Sequence, residues 1–588
     1  MSLLPLIQGG VSSASAFDPA SVENSIWFDG SADFLIKTFG SGAAQSRVVI
    51  SQWVQRCKLS TQQTIIQALN TSSAIDRMFF TSSTDKLHIQ LMNTSSTTTT
   101  YESDKVFKDV GWYHILMSFD GNESGTDTLN VFVNGTAITM TKTFGSDTTG
   151  SLAGFGGANA HRIGCQNTGG GAANNNFFKG YQAQCAMIVG KSIQAGTLQI
   201  GDFLSSSDDR FIPKTNANIA ALATAAGGNS YCLDFANSSD LGNDISSNTN
   251  DFTPTSMSTA QQVAHSPSSQ FPIFSFIGSN DSSSLNDNME FGNRLNVGVS
   301  DWRSAIADKM FGTSGKWYVE VRMHTETASN GMPIGIMPTE DASGAFNTFI
   351  GTGFAQDGYS QYSFDNRIYH ANGTQVLNAG ATCAAGDILQ LALDLENNAY
   401  WFGKNNTYIL SGNPATNSNS TVPDGTTLSS GLADVDWVFG NSSSATEDYF
   451  VNFGQDSTFG GLRTAGNRTD GNSIGDFAFA PPSGFLALFQ SNMPDLTFAN
   501  PATGSFTGNA NAFGPFVYLG FQPSPSDALT INSNAVTYGT HANLCNNGFK
   551  VISSSSSYNS SGTNTYSLVT ANALQINGSF PPPYGILN

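Results

Sequence analysis

The stretch GWYHILMSFDGNESGTDTLNVFVNGTAIT, from Gly111 to Thr139, carries the pattern that predicts the fold. Side chains on both sides of DGNESGTD alternate with a period of two, which places successive residues on opposite faces of a β-strand. Asn134-Gly135 suits the positive φ angles of a tight hairpin turn. We therefore predict a strand, a loop, a strand, a turn and a strand. His114 lies within the first strand beside Trp112, where packing is a more usual role than catalysis.

Similar strand-like runs, separated by turn residues, continue through almost all of the 588 residues. Helical patterns are limited to two places. Thr215–Gly228 has a Thr/Asn start, an alanine-rich middle and a Gly-Gly end, and Ser300–Gly312 also ends at a glycine. We therefore predict an all-β chain whose sheets pack as sandwiches.

Composition excludes several classes of protein. Only 12% of residues are charged and the net charge is −20, so a basic surface for nucleic acid is missing. The start, MSLLPLIQGG, has no basic segment and too short an apolar run for a signal peptide. No run approaches the roughly 18–20 apolar residues of a membrane span. We expect no nucleic-acid binding and no membrane insertion, while 42 phenylalanines supply ample material for cores.

Shifts in composition divide the chain into segments. Leu233–Gln262 is polar and rich in turn residues, as expected of a linker, and Ala465–Asp476 marks a second break. The predicted segments are an N-terminal arm or anchor (1–24), a first jelly-roll sandwich (25–210), a short helix and linker (211–270), a second sandwich (271–475) and a C-terminal β-rich and loop-rich region (476–588).

Residues from about 25 to 203 resemble the laminin-G-like or concanavalin A-like jelly-roll domain found in many tailed-phage proteins. The matching pieces include IWFDGSADFLIKTFG, WYHILMSFDG, LNVFVNGTAIT, AHRIGC and FFKGYQAQCAMIVGKSI. Residues from about 315 to 454 resemble a SPRY-like (B30.2-like) sandwich through GKWYVEVRM, GYSQYSFDNRIYHANGT, GDILQLALDLENNAYWFGKNNTYI and YFVNFGQ. The order of these modules is more specific than any single motif.

The residues agree with the second resemblance. Val319 and Val321 alternate with polar residues and are expected to be buried. Asn397-Asn398 is a turn signal between two strands. The side chains expected to share a core-facing side of this hairpin are Leu389, Leu391, Leu393, Leu395, Tyr400 and Phe402.

The resemblance implies a virion structural protein of a tailed phage, made in the host cytoplasm without a signal peptide. The favoured role is a tail-fibre or tailspike-like adhesin that binds a host-surface glycan or receptor, with other virion proteins as partners. One alternative is a capsid decoration or head-fibre protein, and another is a glycan depolymerase. Fibre proteins are usually trimers, and the apolar runs FLALF and FGPFVYLGF favour a homo-oligomer, unless they cover the second sandwich of their own chain.

Catalytic patterns are weak. A retaining glycosidase needs two carboxylates about 5–5.5 Å apart, and the nearest candidate pair, Glu102 and Asp104, follows a threonine run. The seven histidines show no metal-binding spacing, and the six cysteines form no CxxC motif. Cys165 and Cys185 lie in consecutive strand-like runs and are the one candidate disulfide. We expect no catalysis and no required cofactor.

Two sets of residues are candidates for binding. Calcium prefers six to eight oxygen ligands, and the acidic linker offers Asp234, Asp240, Asp244 and Asp251. The alternative is that this linker is simply solvated. Tyr359, Tyr362 and Tyr369 are candidates for stacking on sugar rings, although tyrosines in strands more often belong to a core or a sheet surface.

Overall fold

The computed structural model describes most of the chain in two compact units, Phe17–Met493 and a unit of Met1–Ala16 with Pro494–Asn588. In the larger unit it describes 22–69, 75–108, 111–124, 128–169, 172–207, 210–275, 289–290, 292–296, 303–312, 314–325, 333–338, 358–362, 367–370, 374–378, 383–421, 437–443, 448–489 and 492. In the other unit it describes eight strands between 503 and 587.

The first sandwich consists of two eight-stranded sheets. Its strands up to the helix are β1 (Ser25–Asp29), β2 (Phe34–Thr38), β3 (Arg47–Arg56), β4 (Gln63–Leu69), β5 (Ile75–Phe80), β6 (Lys86–Met92), β7 (Thr98–Val106), β8 (Tyr113–Asp120), β9 (Leu129–Val133), β10 (Thr136–Ile138), β11 (Met140–Gly145), β12 (Ala160–Ile163) and β13 (Lys179–Val189). A separate hairpin follows, made of β14 (Leu204–Ser207) and β15 (Arg210–Pro213).

The opening stretch folds as its alternation predicts. β8 pairs with β9, and Asn134 and Gly135 both adopt positive φ between β9 and β10. Every side chain of β8 is buried, because its sheet is covered on both faces. Met117 and its alternate neighbours pack into the core between the sheets, while Leu116 packs on the other side.

One α-helix lies in the described part of the chain. Helix α1 (Asn216–Ala226) begins after Thr215, whose hydroxyl accepts a hydrogen bond from the Asn218 amide, and it ends at Gly227 with a φ of 66°. This confirms the first predicted helix. No described helix is long and apolar enough to cross a membrane.

The segment expected to be a linker supplies three strands to the first sandwich. They are β16 (Tyr231–Leu233), β17 (Thr253–Thr255) and β18 (Gln262–Val263). The strand order is β10-β9-β8-β3-β13-β1-β18 in one sheet, with β16 beside β13, and β11-β7-β6-β5-β4-β12-β2-β17 in the other. Polar side chains here satisfy backbone groups of the turns, which is why so polar a sequence packs against the sheets.

The second sandwich also has two main sheets. Its strands are β19 (Phe274–Ser275), β20 (Met289–Glu290), β21 (Arg294–Asn296), β22 (Arg303–Gly312), β23 (Lys316–Thr325), β24 (Pro333–Pro338), β25 (Tyr359–Tyr362), β26 (Arg367–His370), β27 (Thr374–Asn378), β28 (Ile388–Asp394), β29 (Ala399–Lys404), β30 (Thr407–Tyr408), β31 (Trp437–Ser443), β32 (Asp448–Asn452) and β33 (Leu486–Ala487). The orders are β19-β22-β31-β24-β25-β26-β27 and β20-β21-β32-β23-β28-β29-β30, with β33 parallel to β23.

Val319 and Val321 are 0% and 1% exposed, which confirms their predicted burial. The β28–β29 hairpin turns at Asn398, which has a positive φ, and its leucines join the core as predicted. The second predicted helix is wrong, since Arg303–Gly312 forms strand β22 between β19 and β31. Pairing on both edges and burial of its apolar side chains outweigh a weak local helical preference.

The FLALF run (Phe485–Phe489) covers the second sandwich of its own chain. Phe485 and Ala487 pack into a core cluster with Tyr318 and Trp401. For this run, the packing supports the alternative that it covers the second sandwich of its own chain and not a neighbouring subunit. The FGPFVYLGF run (513–521) contains the later strand Phe516–Leu519, and its side chains lie outside the described residues.

The second unit contains two four-stranded sheets. Its strands are β34 (Thr503–Thr507), β35 (Phe516–Leu519), β36 (Ala528–Ile531), β37 (Asn534–Ala535), β38 (Thr537–Gly539), β39 (Phe549–Ile552), β40 (Thr563–Val569) and β41 (Ile586–Leu587). The orders are β34-β40-β36-β37 and β38-β39-β35-β41. The described part of the chain is therefore nearly all-β, as predicted.

Candidate functional site

A row of paired side chains runs across the strands on the outward face of the sheet that contains β5. The paired positions are Arg162 with Gln67, Gln67 with Arg77, Arg77 with Gln90, Gln90 with Thr100, and Thr100 with Phe144. Alternate neighbours in the same strands, such as Met78 and Ile89, point into the core. We call these six residues, Arg162, Gln67, Arg77, Gln90, Thr100 and Phe144, the outer ladder. With strands about 4.8 Å apart, it spans about 24 Å.

Arg77 is held rigidly near the middle of the outer ladder. Its Nε donates to Gln90 Oε1 at 2.9 Å and its Nη1 donates to Gln166 Oε1. The guanidinium carbon lies 4.1 Å from the centroid of the Phe79 ring. Burial lowers the pKa of Arg77 to about 10. The cation is therefore oriented by neutral groups and an aromatic face, without a carboxylate among the described residues.

Arg162 lies two strands away, on the other side of Gln67. Its Nε and Nη1 atoms are buried and have no hydrogen-bond partner among the described residues. Burial lowers the pKa of the Arg162 guanidinium, and the nearby Cys165 opposes this effect. The residue as a whole is half-buried, and the third guanidinium nitrogen, Nη2, is not among its buried atoms that lack a partner.

A loop after β12 forms a polar wall beside the two arginines. Gln67 and Asn167 exchange two hydrogen bonds between side chain and backbone, one of them 2.6 Å long. Gln166 Oε1 accepts from Asn176 at 2.6 Å and from Gln62 at 3.4 Å. These amides hold the wall against the sheet.

A second row on the same face contains the acid that sequence reasoning considered for catalysis. Glu102 forms ion pairs of 2.8 Å with Lys86 and with His88. Hydrogen bonds from Lys86 and then His88 lower the pKa of Glu102. Asp104 is exposed two residues further along the strand. Glu102 therefore binds Lys86 and His88 and favours its charged form.

At the outer ladder's far end, Phe144 is 65% exposed on the edge strand β11. An aromatic ring left in water at the end of a polar row offers an apolar surface for a ligand. His114, on the opposite sheet, is fully buried and bonded to Ser51 at 2.8 Å, which confirms the packing interpretation.

The three tyrosines that were candidates for sugar stacking lie in different surroundings. Tyr359 is 4% exposed and stacks on His370 in the core of the second sandwich, with ring centroids 4.0 Å apart. Tyr362 and Tyr369 are half-buried and meet edge to face at 5.8 Å, with Arg367 within 3.4 Å of the Tyr369 hydroxyl. The structure brings two of the three together.

Three of the four candidate calcium ligands accept hydrogen bonds from backbone amides of the turns. No three acidic, histidine or cysteine residues of the described chain gather as a metal site would require. Asp244 accepts from the amides of Cys232, Ser246 and Asn250 at 2.8–2.9 Å, and Asp251 accepts from the Asp244 amide. Asp234 accepts from Ala236. The carboxylate of Asp240 makes no hydrogen bond or ion pair with another described residue.

Cys165 and Cys185, the candidate disulfide pair, are both buried and form no bridge with each other. The reason is topological, since Cys185 points into the core between the sheets while Cys165 follows the end of β12. Burial raises the pKa of Cys165 to about 12. Cys545 lies outside the described residues.

Comparison with known proteins supports a lectin-like first sandwich. Residues 31–186 match the family described as the concanavalin A-like lectin/glucanases superfamily. All members of the outer ladder fall inside this range. No curated protein matches the chain. The first sandwich is thus similar to a superfamily that includes both binding proteins and hydrolases.

Similar solved structures include three β proteins. The SPRY domain of human HERC1 is 17% identical, with 28% of this chain and 89% of that chain covered and a TM-score of 0.22. The native heptameric SAP-like pentraxin from Limulus polyphemus is 16% identical, with 29% and 77% covered and a TM-score of 0.23. A proposed carbohydrate binding protein from Bacteroides ovatus ATCC 8483 is 14% identical, with 40% and 58% covered and a TM-score of 0.26. Likenesses this low carry no argument about function.

The outer ladder was missed by sequence reasoning. Its signal is present as polar residues at alternate positions, in TIIQAL, IDRMFF and LHIQLM. Such alternation is typical of any sheet with one face in solvent. Only strand order places the two arginines on either side of Gln67.

Proposed function

We propose that the chain is a saccharide-binding protein without catalytic activity, displayed on a tailed-phage particle. The outer ladder supports this proposal most directly, because it combines fixed hydrogen-bonding side chains with an exposed aromatic ring. Polar groups that are held in place by neighbours give orientation and specificity to a sugar, and aromatic faces supply contact area. The match to lectins and glucanases covers the same sandwich.

Binding without hydrolysis is supported by the state of Glu102. A glycosidase acid needs a raised pKa to hold its proton, whereas hydrogen bonds from Lys86 and His88 lower the pKa of this carboxyl. Its neighbour Asp104 is exposed. We therefore propose that Glu102 is an ion-pair partner and not a catalytic acid. The alternative function for the protein is a glycan depolymerase.

The test uses the full-length chain on an array of bacterial surface glycans. We expect binding of some glycans, with no shorter saccharides released after prolonged incubation. Replacement of Gln90 by Ala should weaken this binding, because it removes a ladder amide that orients Arg77. Release of shorter saccharides would establish the depolymerase instead.

The virion role rests on the order of a laminin-G-like and a SPRY-like module. We propose the tail-fibre or tailspike-like adhesin, with the capsid decoration or head-fibre protein as the alternative, and other virion proteins as partners. Both roles need stable sandwiches exposed to solvent. Immunogold labelling or cryo-electron microscopy of the particle separates tail from capsid, and a chain found only outside particles would contradict both.

A further inference from the structure

The arginines of the outer ladder differ from three other cations of the first sandwich, which pair with carboxylates. Arg47 pairs with Asp120 at 2.8 Å, Arg56 pairs with Asp85 at 3.0 Å, and Lys86 pairs with Glu102 at 2.8 Å. Arg77 and Arg162 have no carboxylate within ion-pair distance among the described residues. They are two uncompensated positive charges on one face of a chain whose net charge is −20.

Leaving these charges uncompensated is costly for a partly buried face. A cation that loses water without gaining an opposite charge or hydrogen bonds destabilises the fold. Arg162 has two buried nitrogen atoms without partners, and Arg77 bonds only to two amide oxygens. An anion bound at the open side of each guanidinium would supply the missing charge.

The arrangement favours a chain-like anion. Arg162 and Arg77 occupy the strands on either side of Gln67, whose amide is already used by Asn167. Gln67 itself is fully buried beneath the loop of Gln166 and Asn167, so a ligand along the outer ladder would contact the guanidiniums on either side of this covered position. The exposed ring of Phe144 follows at the far end. An oligosaccharide with repeated acid groups fits this order of contacts.

The favoured acid group is a carboxylate. It is planar, like the guanidinium, and carries a single charge. A doubly charged phosphate ester would cost more to desolvate on a half-buried face and would be repelled more strongly by a chain of charge −20.

We propose that the outer ladder binds a saccharide that carries carboxylates, with Arg162 and Arg77 contacting the acid groups and Phe144 contacting a sugar ring. This deepens the proposed function and rests on it. The ligand class is an acidic polysaccharide built from uronic acids or similar sugars.

The experiment measures binding of the full-length chain to polygalacturonate, alginate and hyaluronate, each beside its carboxyl-reduced polymer, and to dextran sulfate. We expect at least one carboxylated polymer to bind, with about tenfold or greater loss when its carboxyls are reduced, since a hydrogen bond to a charged group is lost. Binding should also weaken with salt. Dextran sulfate should bind more weakly than the best carboxylated polymer, because its sulfate esters, although singly charged, are tetrahedral and do not match the planar guanidinium as a carboxylate does.

Three substitutions locate the site. Arg162→Gln should reduce binding about tenfold or more, while Arg162→Lys, which keeps the charge, should reduce it less. Lys108→Gln removes an exposed cation of the same sandwich that lies outside the outer ladder, and should leave binding unchanged. Melting curves of each variant show whether it is folded, and if Arg162→Gln is not, Arg77→Gln takes its place.

The remaining outcomes would overturn either the acidic-ligand inference or the proposed function. Equal binding of the carboxyl-reduced polymers, preference for dextran sulfate, or full binding by folded Arg162→Gln and Arg77→Gln overturns the acidic-ligand inference, while saccharide binding as such stands. Failure to bind any carboxylated polymer, with neutral glycans bound on the array, also overturns it. Failure to bind any saccharide refutes the proposed function itself.

Discussion

At the scale of single residues, Glu320 links a strand of the second sandwich to the segment that covers it. Its buried carboxylate accepts from the amides of Ala478 and Phe479 at 2.8 Å each and from the Tyr318 hydroxyl at 3.0 Å. Asn452 donates as well, at 3.3 Å. Burial, the largest effect, raises the pKa of Glu320 from 4.5 to about 7.

The raised pKa predicts a pH-dependent stability. Between about pH 4.5 and pH 7 the folded chain holds a proton on Glu320 that the unfolded chain has lost, so stability falls as pH rises through this range. The effect is up to about 3 kcal/mol. Urea unfolding at several pH values should show that Glu320→Gln flattens this slope. Burial also raises the pKa of Asp76 to about 7, so Asp76 contributes the same pH dependence of stability to the wild type and to Glu320→Gln. An identical slope in wild type and variant would contradict the prediction.

Phe144 provides a second prediction at this scale. Because its ring is 65% exposed, Phe144→Ala should change the free energy of unfolding by less than about 0.5 kcal/mol. Saccharide binding should weaken about two- to tenfold if the ring contacts a sugar. Leu410→Ala, at a 53% exposed position of the second sandwich, is the matched control and should leave binding unchanged. Equal binding by wild type and Phe144→Ala would remove this ring from the site.

At the scale of elements, the segment around β33 closes the second sandwich. Phe485 is fully buried and meets Trp401 edge to face, with centroids 6.0 Å apart. Truncation of such a ring leaves a cavity, so Phe485→Ala should cost about 3–5 kcal/mol in chemical unfolding. Phe485→Leu should cost less, because it fills part of the space. A cost near zero for Phe485→Ala would mean that the segment is not needed as a cover.

The acidic turn after β16 is another element whose role the fold decides. Asp244 is 6% exposed and accepts from three amides and from the Ser246 hydroxyl. Asp244→Ala should lower stability by about 1–3 kcal/mol, because buried amides lose their acceptor. We expect the same loss with calcium and with a chelator. A melting temperature of the wild type that rises with calcium would instead identify a metal site.

At the scale of the whole molecule, we propose self-association as a trimer through the unit that contains Pro494–Asn588. Several weak sites on one particle raise overall binding by roughly 10²–10⁴. Light scattering should give a trimeric mass for the full-length chain and a monomeric mass for residues 17–493, a compact unit that retains the FLALF cover. A full-length monomer would contradict this proposal.

The sequence by itself determined the features that depend on near neighbours. Alternation identified the buried Val319 and Val321, Asn134-Gly135 identified a hairpin turn, and a capping threonine with a Gly-Gly end identified helix α1. These signals are local, since a side chain's face or a positive φ depends on a few adjacent residues.

Tertiary structure alone decided which strands become neighbours. It made Arg303–Gly312 a strand, joined the polar segment after β16 to the first sandwich, and placed Arg77 and Arg162 on either side of Gln67. The two arginines are far apart in the chain, and their strands have no pattern that encodes this order. Pairing between distant strands depends on the summed burial and hydrogen bonding of the whole sheet, so the candidate site emerges only when the sheet is assembled.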